Sequence, residues 1–126
     1  MRLLLDTATF IWSIASPQRI SAVAASAIEP TNTQAEISSI SITEIAIKHS
    51  KSKLNLPQAT VEAAIERFKL QVLPYSAKHA YHFFGLPWHH VDPFDRMLIA
   101  QALAEGIPVV TSDAKFRLYK NLEVIW

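Results

Sequence analysis

Asp92-Pro93-Phe94-Asp95-Arg96-Met97-Leu98-Ile99-Ala100-Gln101-Ala102-Leu103-Ala104-Glu105-Gly106 runs directly into Ile107-Pro108-Val109-Val110-Thr111. The first part carries helix punctuation at both ends: an Asp cap, Pro at the first helical position, an acid at the third, and glycine just past the last turn. The second part is short, apolar and β-branched, as a buried strand should be. Moving outward, the same alternation recurs. Leu3-Leu4-Leu5 ends at Asp6-Thr7 and suits a central parallel strand. Helices are expected over Thr7–Ala15, ended by Pro17, and over Ser21–Ile28, capped by Ser21 and stopped by Pro30. After a polar loop at Thr31–Gln34, Ile37–Ile40 reads as a strand and Ser41 opens a helix to about Lys51. Pro57 begins a helix to about Phe68, Val72-Leu73 forms a short strand, Ala77–Phe84 is helical, and Val124–Trp126 closes the chain as a strand. This order predicts an α/β fold of three layers (α/β/α), with a mainly parallel central sheet of about five strands, in a single domain over residues 1–126.

Composition narrows the function. Half of the 126 residues are apolar and 18% charged, so part of the apolar surface is expected to meet a partner. Net charge is +1, and polyanion binding would have to come from local patches. The chain has no cysteine, which excludes a disulfide framework, a thiolate zinc site and a cysteine nucleophile, and is compatible with a cytoplasmic location. Asp6 interrupts the N-terminal apolar run far short of a signal peptide, and no run reaches the ~18 residues of a membrane span.

Asp6, Glu44, Asp95 and Asp113 follow the short apolar runs or open the helices, although the chain holds only 11 acids. In a parallel sheet such positions share one edge, where carboxylates can hold a hard divalent cation and serve phosphate-ester chemistry. Capping explains each acid taken singly. Asp6 can cap the helix at Thr7, and Ser41-Ile42-Thr43-Glu44 matches a capping box. Asp92 and Asp95 sit at the cap and third position of their helix, and Asp113 can cap the turn at Ala114–Phe116.

Four segments distinguish these readings by the company each acid keeps. Leu3-Leu4-Leu5-Asp6-Thr7, Ser38-Ser39-Ile40-Ser41-Ile42-Thr43-Glu44-Ile45, Asp92 to Ala102 and Val110-Thr111-Ser112-Asp113-Ala114-Lys115-Phe116 occur in an order and spacing that resembles the PIN-domain family of metal-dependent nucleases. Within that family the resemblance is closest to the VapC toxins of bacterial toxin–antitoxin pairs, and it spans nearly the whole chain. It implies that Asp6, Glu44, Asp95 and Asp113 are the acidic metal-binding and catalytic positions. Asp92 is an extra acid of the Asp-Pro-Phe-Asp-Arg subgroup, with capping as its first role. Thr7, Thr111 and Ser112 occupy hydroxyl positions suited to a carboxylate or a metal-bound water, and Arg96 is placed to pair with a site carboxylate, touch substrate phosphate or form a structural ion pair. The implied activity is Mg²⁺- or Mn²⁺-dependent endoribonuclease action, by a homodimeric toxin held inactive by a cognate antitoxin.

Two basic groups are candidates for RNA contact, Lys48, His49, Lys51 and Lys53, and then Lys115, Arg117 and Lys120; a solvated face explains either equally well. Phe116, beside the second group, reads first as core. His89-His90 is expected at the cleft rim or on the surface, and His49, His79 and His82 exposed or at a partner surface. A competing reading is a catalytically silent PIN-like module that binds RNA or protein, which would have no need of four cation ligands. A dehalogenase-like phosphotransferase would want an acid at Ala8, and a receiver domain would want acids beside Asp6.

Overall fold

A computed structural model describes all residues from Met1 to Trp126. Five strands form one sheet: β1 (Arg2–Leu5), β2 (Gln34–Ser38), β3 (Gln71–Leu73), β4 (Val109–Val110) and β5 (Val124–Ile125). Their spatial order is β3-β2-β1-β4-β5, and every pairing is parallel. The chain adds strands outward from β1 on one side, then crosses to the other side for β4. The gap between β1 and β4 is therefore the switch point, where crevices open at the carboxyl ends of the strands.

Period-two alternation on β1 builds the two faces. Leu3 and Leu5 point into one core with Phe10, Ala24, Ile37, Ile45 and Val61, beneath α1 (Thr7–Ala15), α2 (Ala22–Ile28) and α4 (Gln58–Arg67). Leu4 points the other way, with Leu98, Ile99, Ala102, Val109 and Phe116, beneath α6 (Pro93–Glu105). The remaining helices are α3 (Ser39–Ser50), which packs on both α1 and α6, and α5 (Ala77–Phe83), which packs on α6. The three expected layers are thus present. No helix is long and apolar enough to cross a membrane.

Local chemistry accounts for most boundaries. Asp6 caps α1 by accepting from the Thr9 N–H, Ser21 caps α2, and Asp92 caps α6 with Pro93 at its first position. Gly106 ends α6 at φ 66°, a left-handed conformation that favours glycine. One stretch departs from expectation. The second strand begins at Gln34 and ends at Ser38, and α3 starts at Ser39 with Ser38 as its cap. Pairing against Arg2–Leu5 extends the strand into the segment expected to be a polar loop. Glu36 within it is buried because Arg2 binds it through two nitrogens, at 2.6 and 3.0 Å. The capping box at Ser41 and Glu44 therefore does not form, and Glu44 lies in the second turn of α3.

Candidate metal centre

With α3 in this register, Glu44 faces the crevice instead of its own helix end. A cleft of about 300 Å³ at the switch point is lined by Asp6, Glu44, Asp92, Asp95 and Asp113, with Thr7, Ala8, Ile11, Trp12 and Lys48. Four of these acids arrive on different elements, and Asp92 shares the start of α6 with Asp95. Asp6 follows β1, Glu44 is on α3, Asp95 is in the first turn of α6, and Asp113 follows β4 and caps a 3₁₀ turn at Ala114–Leu118. Capping and convergence are therefore both true of Asp6 and Asp113.

Hydrogen bonds fix the two capping acids. Asp6 Oδ1 accepts from the Thr9 N–H at 2.8 Å, and Oδ2 from the Thr111 hydroxyl at 2.6 Å. The Asp6 N–H donates to the Val110 carbonyl, tying the ends of β1 and β4 together. Asp113 Oδ1 accepts from the Lys115 N–H at 2.9 Å, while its own N–H donates to Thr111. Thr7 donates to Ser41 across 2.9 Å, joining the starts of α1 and α3. Ser112 is exposed and does not line the cleft.

Crowded carboxylates resist ionising. Burial, reinforced by the charges of Asp92, Glu44, Asp6 and Asp113, raises the Asp95 carboxyl to about 7. Burial also raises Asp6, opposed by the bonds from Thr111 and Thr9. Glu44 is treated differently on its two oxygens. Oε2 accepts from Lys48 Nζ at 2.9 Å, whose ammonium pKa is raised by that bond, whereas Oε1 is buried with no partner. A carboxylate oxygen buried without a donor costs on the order of 1–3 kcal/mol. An all-oxygen set with one such orphan fits a hard divalent cation.

His90 also belongs to this site, in contrast to its expected place at the rim. It is buried, its Nε2 lies 3.0 Å from Asp113 Oδ2, and its ligand atoms, with those of Asp95 and Asp113, fall within 4.8 Å of one another. His89 is the exposed member of the pair. The His-His dipeptide was visible in the sequence, but only Tyr119, which bonds to His90, decides which ring turns inward.

Arg96 does not meet a carboxylate. The residue is 2% exposed, and its guanidinium donates to the carbonyls of Pro87 and Leu86 at 2.7 and 3.3 Å and lies 3.7 Å from the Trp88 ring centroid. It braces the loop leading into α6. His79 is likewise buried, its Nδ1 accepting from the Ser76 N–H and its Nε2 2.8 Å from Glu105. His49 is half-buried and accepts from the Leu56 N–H. Of the basic candidates, Lys48 is drawn into the cleft by Glu44. Lys51, Lys53, Lys115, Arg117 and Lys120 are exposed, with Phe116 and Tyr119 buried beneath the last three.

The PIN-domain family model matches residues 3–122. The chain belongs to the PIN-domain family. No curated protein matches it. Among solved structures, VapBC2 from Rickettsia felis, bound to a DNA fragment from its promoter, aligns with TM-score 0.75 and 22% identity, over 98% of this chain and 97% of that one. DNA-bound VapBC from Salmonella typhimurium aligns with TM-score 0.71 and 24% identity, over 98% and 96%. VapBC-5 from Mycobacterium tuberculosis, of the VapBC toxin–antitoxin systems, aligns with TM-score 0.66 and 18% identity, over 98% and 96%. At these identities the likeness establishes a shared PIN fold along the full chain.

Proposed function

We propose that this PIN domain is a divalent-metal-dependent endoribonuclease and the toxin of a two-protein toxin–antitoxin module. The observation that carries the reading is the convergence of Asp6, Glu44, Asp95 and Asp113 from four elements on one cleft, with a buried oxygen of Glu44 left without a donor. These four acids would hold Mg²⁺ or Mn²⁺. Such an ion polarises a scissile phosphoryl group, acidifies a water and stabilises the leaving oxygen.

The protein's part is to orient and charge the acids. Thr111 and the N-terminus of α1 hold Asp6, Lys48 offsets the charge of Glu44, and the first turn of α6 presents Asp95. Lys115 and Arg117, exposed on the turn after Asp113, and Lys120 just beyond it are placed to meet an RNA backbone, and Lys51 and Lys53 form a second such group beyond α3. Asp92 caps α6 and lines the cleft beside Asp95, with metal or water contact as its second role. The toxin reading draws support from solved neighbours that are VapBC complexes. Tyr81, Phe84, Trp88 and Val91, all strongly exposed, supply apolar surface for a second copy or an antitoxin, in keeping with a cytoplasmic homodimer.

The test is to incubate antitoxin-free protein with total RNA, with and without Mg²⁺ or Mn²⁺, beside Asp95→Asn. Discrete cleavage that needs metal and is lost in the variant is expected. Absence of both cleavage and any thermal response to metal would return the acids to helix capping.

A further inference from the structure

The imidazole of His90 sits between two partners whose chemistry dictates its tautomer. On one side is Asp113 Oδ2, 3.0 Å from Nε2, and an ionised carboxylate can only accept. Nε2 therefore carries a hydrogen. On the other side is the Tyr119 hydroxyl, 3.1 Å from the His90 backbone nitrogen and 3.2 Å from Nδ1. The backbone N–H donates to the phenolic oxygen, and in the neutral ring with its hydrogen on Nε2 the remaining Nδ1 can only accept, so the phenolic hydrogen is donated to it. Both ring nitrogens are then committed. Phe116, edge-on at 4.9 Å, and the stacked Tyr119 ring at 5.5 Å hold the plane of the imidazole. Both His90 and Tyr119 are buried, while the Asp113 side chain is 38% exposed at the mouth of the cleft.

We infer that Tyr119 and His90 form a relay that positions Asp113, and that His90 is not itself a cation ligand although its ring lies within the ligand cluster. With Nδ1 accepting from Tyr119 and Nε2–H donating to Asp113, the ring has no lone pair to offer. Asp113 has Oδ1 fixed by Lys115 N–H and Oδ2 fixed by His90, and each oxygen keeps a second lone pair free to accept. The relay does for a half-exposed carboxylate what Thr111 does for the buried Asp6. Outer partners of this kind orient ligands and tune their affinity. The inference rests on the metal-site reading above.

Mn²⁺ titration of the metal-free full chain by calorimetry tests it, with wild type, Asp95→Asn, Tyr119→Phe, His90→Phe and His90→Gln compared. Tyr119→Phe and His90→Phe are expected to weaken Mn²⁺ by about tenfold or more. His90→Gln, whose amide nitrogen reaches as far as Nε2 and can donate, should stay within about threefold of wild type, a rescue that a packing role would not produce; the ring tautomer separates the relay from a ligand role. Histidine ¹⁵N spectra of the metal-free protein should show the Nε2–H tautomer at His90, eroded in Tyr119→Phe. If Tyr119→Phe and His90→Phe bind Mn²⁺ like wild type while Asp95→Asn does not, the relay is wrong and the metal site stands. Failure of His90→Gln to rescue, or an Nδ1–H tautomer, also overturns the relay. If wild type takes no Mn²⁺, the metal reading falls and takes the relay's purpose with it. Should His90→Phe not fold, Tyr119→Phe and the spectra decide alone.

Discussion

The Thr111 hydroxyl donates to Asp6 Oδ2 across 2.6 Å and accepts from the Asp113 N–H at 3.0 Å, so one buried side chain joins the acids at the ends of β1 and β4. Thr111 and Asp6 are 105 positions apart in sequence. Their bond opposes the burial that drives the Asp6 carboxyl upward.

Thr111→Val keeps the shape and removes the hydroxyl. It leaves a buried carboxylate oxygen and an amide hydrogen without their partner, at a cost of about 1–3 kcal/mol. Urea unfolding should show that loss with an unchanged slope. Calorimetry should show weaker Mn²⁺ binding, because Asp6 becomes harder to ionise.

Asp95, with Asp6 raised in the same direction, sets the pH dependence of the metal-free protein. Its folded pKa of about 7 lies above the ordinary carboxyl value of 3.8, so the folded state holds more protons between those limits. The associated stability is complete below the lower value and is lost as pH rises through the upper one. Glu105, lowered to about 2, changes nothing over this window because its contribution is lost only in acid. Melting temperature without metal should therefore fall from pH 5 to pH 8. Saturating Mn²⁺, which binds the ionised carboxylates, should reverse that slope. A flat profile in both conditions would contradict the assignment of Asp95.

Asp95→Asn should separate stability from function. Removing one charge from the cluster relieves repulsion by Asp92, Glu44, Asp6 and Asp113, and the metal-free melting temperature at pH 8 should rise by about 3 °C or more. RNA cleavage should fall by roughly a hundredfold or more, the scale of losing one preorganised electrostatic group. A variant that is less stable without metal would show that the acids do not repel one another.

Arg96→Lys tests a structural role. Lysine cannot reach both carbonyls in the fork geometry or stack on Trp88 in the same way. Unfolding free energy should drop by about 2 kcal/mol, the scale of hydrogen bonds from a buried charged group. A change confined to RNA binding, with stability untouched, would instead place Arg96 on the substrate.

Replacing Lys115, Arg117 and Lys120 together by alanine should weaken RNA binding by catalytically disabled Asp95→Asn protein. In fluorescence anisotropy, the slope of log affinity against log salt should become shallower by about 0.7 for each phosphate contact removed. An unchanged slope would leave these residues as a solvated face.

Most of the fold and the four acids were legible because their signals are local. Apolar runs of three to five residues, proline and glycine punctuation, and capping side chains act within a few positions of the chain. They placed α1 at Thr7–Ala15 and Asp6, Asp95 and Asp113 at element ends. Where only local propensity was available, the register of α3 came out two residues late, because the pairing of β2 with β1 and the Arg2–Glu36 ion pair outweigh it.

The sequence by itself determined which elements form, and therefore that Asp6, Asp95 and Asp113 lie at the ends of strands or the start of a helix. Tertiary structure alone decided what each polar group faces. It turned Glu44 into the cleft with one oxygen unpartnered, buried Arg96 under Trp88, and chose His90 over His89 as the neighbour of Asp113. The physical reason is range: a cap is satisfied within one turn of backbone, whereas a buried donor takes its partner from whatever distant segment the packing brings within 3 Å or so.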